Sequence, residues 1–341
     1  MIITFGEILL RLSTPGKMRL GQSKSFDVNY GGSESNVAVS MANFGHQVAH
    51  VTRVPLNPLG EAVKTMLLSH KVKTDFVLEG GSRLGTYYLE TGAGLRASNV
   101  VYDRAASAMA EIKPGMVDWK KVFEKATWFH WSGITAAISQ SAADVCKEAL
   151  EAAEKAGVSI SVDLNFRGKL WQYGKTPAQI MPELLQHCDV IFGGIDAPEK
   201  MFGIVPEDKE STRGELLETD LISISQQVLK KFPKAKVFST TLRWIKNTQH
   251  HQLQGMIYDK KNLFLASVYD MPSMADRVGG GDAFMGGLIH GLIKQGDNYQ
   301  EIVEFATAAS VLKHYIHGDV NLATLAEVEA LSKGQGAAIS R

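Results

Sequence analysis

Three consecutive glycines, Gly279 to Gly281, lie between Asp276 and Asp282 and lead into an apolar stretch with helical spacing. Glycine lets the backbone turn sharply and brings bare N–H groups close to a ligand. The first N–H groups of a helix have no partner within the helix and lie at the positive end of its dipole, so they favour an anion. A carboxylate in the first turn, such as that of Asp282, can act as a base. The pattern predicts a loop closing on a helix N-terminus, in a layout suited to phosphoryl transfer.

Two known glycine-rich phosphate loops do not fit this stretch. A Walker loop requires Lys and then Ser or Thr after its last glycine, but Gly286 is followed by Gly287 and Leu288. A dinucleotide fingerprint would require a glycine at position 284, which is Phe284. Glycine-rich turns more often cap a helix without binding anything, but the two flanking acids favour a ligand site here.

The stretch Asp276-Arg277-Val278-Gly279-Gly280-Gly281-Asp282-Ala283-Phe284 resembles the C-terminal signature of the ribokinase-like (PfkB) sugar kinases, Asp-x-x-Gly-Ala/Gly-Gly-Asp. Its form is most similar to that of the 2-keto-3-deoxygluconate kinases. The resemblance implies that Asp282 is the catalytic base and that Gly279, Gly280 and Gly281 form the anion hole, with Gly279 and Gly281 also contacting the nucleotide. It implies ATP and Mg²⁺ as cofactors and leaves dependence on a monovalent cation open.

The composition excludes several other classes of protein. The 341 residues can hold two average domains or one large α/β domain, and 36 basic residues balance 36 acidic ones, so no nucleic-acid or membrane partner is predicted. The cysteines, Cys146 and Cys188, fit a reducing cytoplasm and offer neither a disulfide framework nor a zinc cluster. No signal peptide is predicted, and no apolar run reaches the roughly 18 residues of a membrane span. We therefore expect a cytoplasmic protein.

A second signature lies near the N-terminus. Residues 26–30 alternate like a half-buried strand and end at two glycines, after which residues 33–42 have the pattern of a helix. Gly31-Gly32-x-x-x-Asn36 matches the N-terminal signature of the same family. There the backbone and the Asn touch the sugar, which implies substrate contacts for Gly32, Ser33 and Asn36. The signature is weak alone and becomes strong when paired with the later one at the family's usual distance.

Two further segments predict a small β-sheet. Thr86 to Glu90 and Asn99 to Arg104 look like consecutive strands with no helix between them, which breaks the β/α rhythm of the chain. Together with the segment near the N-terminus they predict a lid built from about 9–30 and 84–105. Tyr102 and Arg104 are two residues apart and therefore face the same side of a strand. An aromatic ring beside a guanidinium suits a sugar acid, because Arg can hold a carboxylate through two hydrogen bonds.

The resemblance adds roles to the lid residues. In 2-keto-3-deoxygluconate kinases a Tyr-x-Arg at this place contacts the substrate, which implies the same for Tyr102 and Arg104; a cross-strand surface pair is the alternative. Tyr87 and Tyr88 face opposite sides, so only one can contact a ligand; Tyr87 is our candidate, and the choice stays open. Many relatives have a sugar-binding Asp where this chain has Arg11. That cation hints at an acidic substrate, or is an exposed lid residue.

Polar residues at the carboxyl end of a predicted buried strand, 158–165, form another candidate group. In an open α/β sheet such residues point into the crevice that binds ligands, so Asp163, Asn165 and Arg167 are site candidates. Arg167 also resembles a substrate-binding arginine of the family, and a salt-bridged surface residue is the alternative. Ile134, which precedes a helix in another β/α unit, is a further candidate for contact with the substrate.

The nucleotide side departs from the family in two places. Thr241, Leu242 and Arg243 replace the Thr-x-Gly that many relatives use at the nucleotide, but Thr-Leu-Arg is itself typical of the 2-keto-3-deoxygluconate kinases, so we expect these residues to bind the cofactor. Many relatives also carry an Asn-x-x-Glu that orders the metal near the phosphates. Residues 193–199 lack the Asn and displace the acid, so the metal ligands stay unknown.

The C-terminal third completes the assignment. Residues 205–222 are polar and predict a surface insertion before a helix at about 223–231. This helix leads to a predicted strand at 236–240. Lys313 to Asp319 resembles the Lys-His-x-x-x-Gly-Asp segment of the same kinases, and Asp319 is expected to reach the substrate or a loop that orders it. The last residues, 332–341, are small and polar and predict a frayed tail.

The fold predicted by these features is a single ribokinase-like α/β domain over residues 1–331, with a central, mostly parallel sheet flanked by helices and a small β-sheet lid. The implied function is ATP-dependent phosphorylation of 2-keto-3-deoxy-D-gluconate to 2-keto-3-deoxy-6-phosphogluconate. Another kinase of the family, such as a fructokinase, and a catalytically silent sugar-acid sensor are the competing hypotheses. Because lid sheets in the family often pair between subunits, the expected partners are a small sugar acid and further copies of the chain.

Overall fold

The computed structural model describes residues 1–207 and 217–335, and the statements below concern these two ranges. The strands are β1 (Ile2–Phe5), β2 (Leu9–Ser13), β3 (Asp27–Gly31), β4 (Val48–Val54), β5 (Val77–Glu79), β6 (Thr86–Glu90), β7 (Asn99–Asp103), β8 (Trp128–Ser132), β9 (Ser159–Asp163), β10 (Val190–Phe192), β11 (Val237–Asn247), β12 (His250–Tyr258), β13 (Leu263–Leu265) and β14 (Tyr269–Met271).

The helices are α1 (Ser33–Asn43), α2 (Pro58–Ser69), α3 (Trp119–Phe123), α4 (Gly133–Ile138), α5 (Gln140–Lys155), α6 (Pro177–Leu185), α7 (Ala197–Phe202), α8 (Glu218–Lys231), α9 (Gly280–Lys294), α10 (Tyr299–Lys313) and α11 (Leu325–Ser332). None of the helices within the two described ranges is long and apolar enough to cross a membrane.

A large mixed sheet forms the centre of the protein. Its strand order is β13-β12-β11-β10-β9-β8-β1-β4-β5, with β14 beside β12. The seven neighbouring strands β5, β4, β1, β8, β9, β10 and β11 run parallel. Strand β12 pairs antiparallel with β11, β13 and β14. Every residue of β1 and β8 is buried, as expected for parallel strands covered by helices on both faces.

Alternate residues of the central strands build two separate cores. Ile3 and Phe5 belong to an apolar cluster with side chains of α3 and α5 on one face. Ile2 belongs to a second cluster, with side chains of α1, α9 and α10, on the other. The period of two along each strand therefore fixes which helices cover which face.

A separate small sheet has the order β3-β2-β6-β7. Strand β2 pairs parallel with β6, and the two outer pairings are antiparallel. Leu9, Tyr87 and Leu89 point inward and pack with Val278 of the main body. The opposite face carries exposed apolar side chains, including Val28 at 56% and Val101 at 44%. The predicted fold class, a mostly parallel sheet with helices and a small additional sheet, is confirmed.

Two element boundaries differ from those predicted. Helix α8 begins at Glu218 and not near 223, because Asp220 caps it by accepting the N–H of Leu217 at 2.9 Å. Acids favour the first turn of a helix, so a helix start has the same polar composition as a loop. The middle of the predicted insertion, 208–216, lies outside the described residues, as does 336–341 of the predicted tail. Strand β11 continues to Asn247, past the predicted end at Thr240.

Candidate active site

One cleft of about 1320 Å³ lies between the carboxyl edge of the parallel strands and the inner face of the small sheet. Single-ligand pockets usually measure roughly 300–1,000 Å³, so this cleft has room for two small molecules. Its lining includes all the predicted catalytic and substrate-binding residues, namely Gly32, Ser33, Asn36, Tyr87, Tyr102, Arg104, Ile134, Arg167, Gly279, Gly280, Gly281, Asp282 and Asp319. Thr241, Leu242 and Arg243 are not part of the lining.

The glycine loop and helix α9 form the floor of the cleft. Gly279 is the N-cap of α9 and has a φ of 84°, in the left-handed region that favours glycine. A Cβ at this position would lie 1.9 Å from the carbonyl oxygen of Asp319, so a side chain has no space. Next to Gly281, by contrast, there is open space within 4 Å of where a Cβ would lie. The unpaired N–H groups of the first turn therefore lie beside room for an anion.

Asp282 lies in the first turn of α9 and is held by the start of α1. Its Oδ2 accepts a hydrogen bond from Asn36 Nδ2 at 2.7 Å, and its Oδ1 accepts one from Ser33 Oγ at 2.9 Å. Ser33 Oγ in turn accepts from Asn165 Nδ2 at 2.8 Å. Asn165 has a φ of 41°, a strained conformation for a residue other than glycine. The two signatures of the sequence thus meet at one carboxylate, and the strand end at Asn165 supports it.

Burial raises the pKa of Asp282 to about 6, because the surroundings penalise the charged form more than the hydrogen bonds from Asn36 and Ser33 stabilise it. Such a carboxylate is ionised at neutral pH yet can take a proton and release it again. Burial also raises the pKa of Asp163 to about 8, with the charge of Asp282 adding to the shift. A third carboxyl group, Glu34, has its pKa raised to about 7 by burial, although Ser132 and Thr135 both donate to it at 2.7 Å.

The small sheet is connected to the glycine loop by a buried network. Arg11 Nη2 donates to Asp276 Oδ2 at 2.7 Å, and Arg11 Nη1 donates to Asp319 Oδ1 at 2.9 Å. The hydroxyl of Tyr87 donates to the other oxygen of Asp319 at 2.5 Å. Arg11 is 4% exposed, so the interpretation of it as an exposed lid residue is wrong. Of the two neighbouring tyrosines, Tyr87 lines the cleft, whereas the ring of Tyr88 packs against Phe26 on the outer face.

Arg104 and Arg167 bring positive charge to the cleft in different ways. Arg104 is 7% exposed, and both its Nε and its Nη2 donate to Glu7 Oε2. Its guanidinium carbon lies 5.8 Å from the centre of the Tyr102 ring. Arg167 is exposed to the cleft and donates to the carbonyl of Phe166 at 3.0 Å. No carboxylate of the described residues lies within 4.0 Å of its guanidinium, so the salt-bridged alternative does not occur among them.

The predicted nucleotide segment lies on β11, beside the glycine loop. Arg243 Nη1 donates to His314 Nε2 at 2.9 Å and to His251 Nδ1 at 3.2 Å. Burial lowers the pKa of His314 to about 3 and that of His251 to about 4, so both rings are neutral and accept these bonds. The ring of His314 lies against Gly280, where a Cβ would be 2.3 Å from it. Arg243 is thus connected to the glycine loop through the imidazole ring of His314.

The acids of the segment that replaces Asn-x-x-Glu belong to no cluster of possible metal ligands among the described residues. Asp196 accepts a hydrogen bond from Lys200, which lies one turn further along α7, and Glu199 is exposed. Within the described ranges, no group of three or more His, Cys, Asp or Glu side chains is arranged to hold a metal ion.

Three buried charged residues of the site were not predicted. Glu7 follows β1 directly, and the rule that identified Asp163 at the end of β9 would also have identified it. Glu34 lies within the N-terminal signature, but a glutamate on a helix is usually solvated and gave no signal. Lys313 is fully buried at the end of α10 and donates to the carbonyl of Ile316 at 3.0 Å. Its partner is a backbone atom, which side-chain patterns do not reveal.

Comparison with known proteins shows what the chain resembles. Residues 1–228 match the profile described as pfkB family carbohydrate kinase. The chain is 30% identical over 342 residues to the 2-dehydro-3-deoxygalactonokinase of Haloferax volcanii, with 100% of this chain and 99% of that protein covered. Its structure matches that of the 2-dehydro-3-deoxygluconokinase of Thermotoga maritima with a TM-score of 0.91 and 39% identity, covering 98% and 99% of the two chains. A fructokinase with bound ATP from Xylella fastidiosa shares the fold, with a TM-score of 0.78, 20% identity, and 98% and 99% covered.

The raised carboxyl pKa values predict that these groups contribute less to stability as the pH rises. A carboxyl group whose folded pKa lies above its unfolded value stabilises the fold while protonated, and this contribution is lost as the pH rises through the folded pKa. The contribution of Asp163, whose folded pKa is about 8, to the free energy of unfolding should therefore decline between about pH 4 and about pH 8. In Asp163→Asn this contribution is absent, so the slope of the free energy of unfolding against pH, measured by urea denaturation between about pH 5 and about pH 8, should be more positive than in the wild type.

The matched control for this experiment is Asp103→Asn. Asp103 is an exposed carboxylate whose pKa is lowered by its hydrogen bond with Arg83, so it is ionised throughout this range. Its replacement should leave the slope of the unfolding free energy against pH unchanged. An equal slope in wild type and Asp163→Asn would show that Asp163 is ionised at neutral pH, contrary to the structure.

Proposed function

The chain belongs to the pfkB family of carbohydrate kinases, and we propose that it transfers the γ-phosphoryl group of ATP to the terminal hydroxyl of 2-keto-3-deoxy-D-gluconate. The observation that carries this proposal is the set of groups that line this one cleft. A helix N-terminus, a carboxylate with a raised pKa and two arginines from different elements all line it. The first two suit phosphoryl transfer to an alcohol, and the arginines suit a substrate with a carboxylate.

In the proposed mechanism, Asp282 accepts the proton of the attacking hydroxyl. The hydroxyl oxygen forms a bond to the γ-phosphorus, the bond from that phosphorus to the β,γ-bridging oxygen breaks, and ADP leaves with the electron pair. The N–H groups of Gly279 to Gly281 face the charge that spreads over the phosphoryl oxygens. Because the pKa of Asp282 is about 6, the base is ionised at neutral pH.

The acid end of the substrate is assigned to Arg104 and Arg167. Arg104 lies beside the Tyr102 ring at one side of the cleft, and Arg167 lies at the carboxyl end of β9. The charge of Arg167 opposes the rise in the pKa of Asp282. The guanidinium of Arg167 is therefore close enough to act on this carboxylate. Anchoring the carboxylate at one end of a six-carbon chain fixes which hydroxyl meets the phosphate at the other.

The configuration of the sugar is a point where the relatives differ. The Haloferax relative is named for the galacto form of the acid and the Thermotoga structure for the gluco form. The galacto epimer is therefore the second candidate substrate. Arg104 and Arg167 argue against a fructokinase activity, because fructose has no carboxylate for them to bind. The hydrogen bonds that hold Asp282 in place argue against a catalytically silent sensor.

Mg²⁺ is proposed to enter as its complex with ATP. Mg²⁺ prefers phosphate oxygens, waters and one or two carboxylates over an all-protein cage, which agrees with the lack of a preformed metal group among the described residues. Dependence on a monovalent cation stays open. A location in the reducing cytoplasm is supported by Cys146 and Cys188, which are buried as free thiols.

A homodimer, or a larger assembly, is proposed to form through the outer face of the small sheet. Val28 and Val101, at 56% and 44% exposure, lie on this face. The Val28→Asp variant should place a charge in the contact and lower the molar mass measured by light scattering to that of one chain. Leu56→Asp is the control, because Leu56 is 73% exposed and lies outside the small sheet. Equal masses for wild type and Val28→Asp would exclude this face as the interface.

The role of Asp282 is tested by Asp282→Asn. The amide keeps the size of the side chain and still accepts from one of its two neighbours, but it cannot take a proton. The turnover number for the sugar acid, from a coupled assay of ADP release, should fall by about 10² to 10⁴. Binding of a non-hydrolysable ATP analogue, measured by calorimetry, should change little because the backbone amides remain. Turnover close to that of the wild type would exclude Asp282 as the base.

A further inference from the structure

Glu7 lies inside the cleft but has no part in the phosphoryl transfer described above. It follows β1 at the carboxyl edge of the main sheet and is 4% exposed. Its Oε2 accepts from Arg104 Nε at 2.8 Å and also from Arg104 Nη2, while its Oε1 accepts from Ser107 Oγ. Both carboxylate oxygens are therefore bonded to residues that follow the small sheet's last strand.

Neighbouring backbone packs closely against both the carboxylate and the main-chain carbonyl of Glu7. A Cβ at Gly85 would lie 2.5 Å from Glu7 Oε1, and one at Gly32 would lie 1.9 Å from the Glu7 carbonyl oxygen. Backbone of the small sheet and of the N-terminal signature thus encloses Glu7 from two sides. A buried charge so confined fixes the orientation of the guanidinium that it binds.

Arg104 uses one edge of its guanidinium for this contact. Nε and Nη2 lie along the edge that faces Glu7, and Nη1 has no hydrogen-bond acceptor in the part of the chain that the structure describes. The remaining edge is available to a ligand, and Arg104 and Glu7 both line the cleft. Because the pair is neutral overall, its attraction for a distant anion is weak, and its contribution depends on geometry.

Arg167 differs from Arg104 in this respect. It is exposed to the cleft, and among the described residues no carboxylate lies within 4.0 Å of it. An unpaired cation attracts an anion from a distance, while an oriented, neutralised one recognises the shape of the anion on contact. Arg104 and Arg167 are therefore not equivalent.

We propose that Glu7 is a positioning residue for substrate recognition: it orients Arg104 so that the free edge of the guanidinium binds the substrate carboxylate, while Arg167 supplies the attracting charge. The proposal rests on the proposed function, because it assumes a sugar acid in the cleft. It makes Glu7 a determinant of the choice between an acidic and a neutral sugar.

The test compares two substrates that differ only at the carboxylate end. These are 2-keto-3-deoxygluconate and 3-deoxyfructose, in which a hydroxymethyl group replaces the carboxylate. For each protein the ratio of kcat/KM for the acid to kcat/KM for the neutral sugar is measured by ADP release. The variants are Glu7→Gln, which removes the charge, and Glu7→Asp, which keeps the charge but shortens the side chain. Melting temperatures by circular dichroism show that each variant is folded.

We expect the acid-to-neutral ratio to fall about tenfold in both variants, since each loses the orientation of a charge-assisted hydrogen bond. KM for ATP should stay near its wild-type value. Asp103→Asn is the matched control, because Asp103 precedes Arg104 and its carboxylate pairs with Arg83 at the surface. Should Glu7→Gln fail to fold, Glu7→Asp carries the test, because it keeps a negative charge near Arg104.

Two results would overturn the inference while leaving the proposed function intact. An equal loss on both substrates would show that Glu7 merely stabilises the fold. A higher ratio in Glu7→Gln would show that net charge, and not orientation, governs recognition. Failure of the wild type to phosphorylate the acid would remove the proposed function and the inference together.

Discussion

Two buried carboxylates that share one guanidinium connect the two parts of the cleft. Arg11 lies 2.7 Å from Asp276 and 2.9 Å from Asp319, and the three side chains are 5%, 9% and 2% exposed. A buried charge without its partner costs about 3–5 kcal/mol, so the three residues are stable only together. Arg11 belongs to the small sheet and both aspartates belong to the main body. Burial lowers the pKa of Lys313, which is fully buried at the end of α10, and the charges of Asp276 and Asp319 oppose this shift.

The same network also fixes the geometry of the glycine loop at the start of α9. Asp276 accepts the backbone N–H of Val278 with Oδ1 and that of Gly318 with Oδ2. It therefore connects the glycine loop before α9 with the loop that follows α10. The carbonyl of Asp319 packs against Gly279 and excludes a side chain there. The docking of the small sheet and the geometry of the glycine loop are therefore parts of one hydrogen-bonded unit. Through it, the residues of the sheet that we propose to bind the substrate are held in position relative to Asp282.

The sequence predicted the parts of the site that local patterns encode. The glycine loop, the acid in the first turn of α9 and the two consecutive strands of the small sheet all follow from spacing within about ten residues. The partners of Arg11 lie 265 and 308 residues away along the chain, and no local pattern shows whether an arginine is buried against acids or solvated. The start of α8 was missed for a related reason, because capping acids resemble a polar loop. For Asp319, both carboxylate oxygens accept from the small sheet, so its proposed role is to order a loop.

We propose that the cleft phosphorylates a sugar acid and not a neutral sugar. The most direct test is a coupled assay of ADP release with ATP and Mg²⁺, comparing 2-keto-3-deoxygluconate, its galacto epimer, fructose, ribose and gluconate. We predict a strong preference for the keto-deoxy acids, with phosphate on the terminal hydroxyl. Preferred turnover of fructose or ribose would contradict the assignment of Arg104 and Arg167 to a carboxylate. Binding of the acid without any turnover would contradict the assignment of Asp282 and favour a sensor.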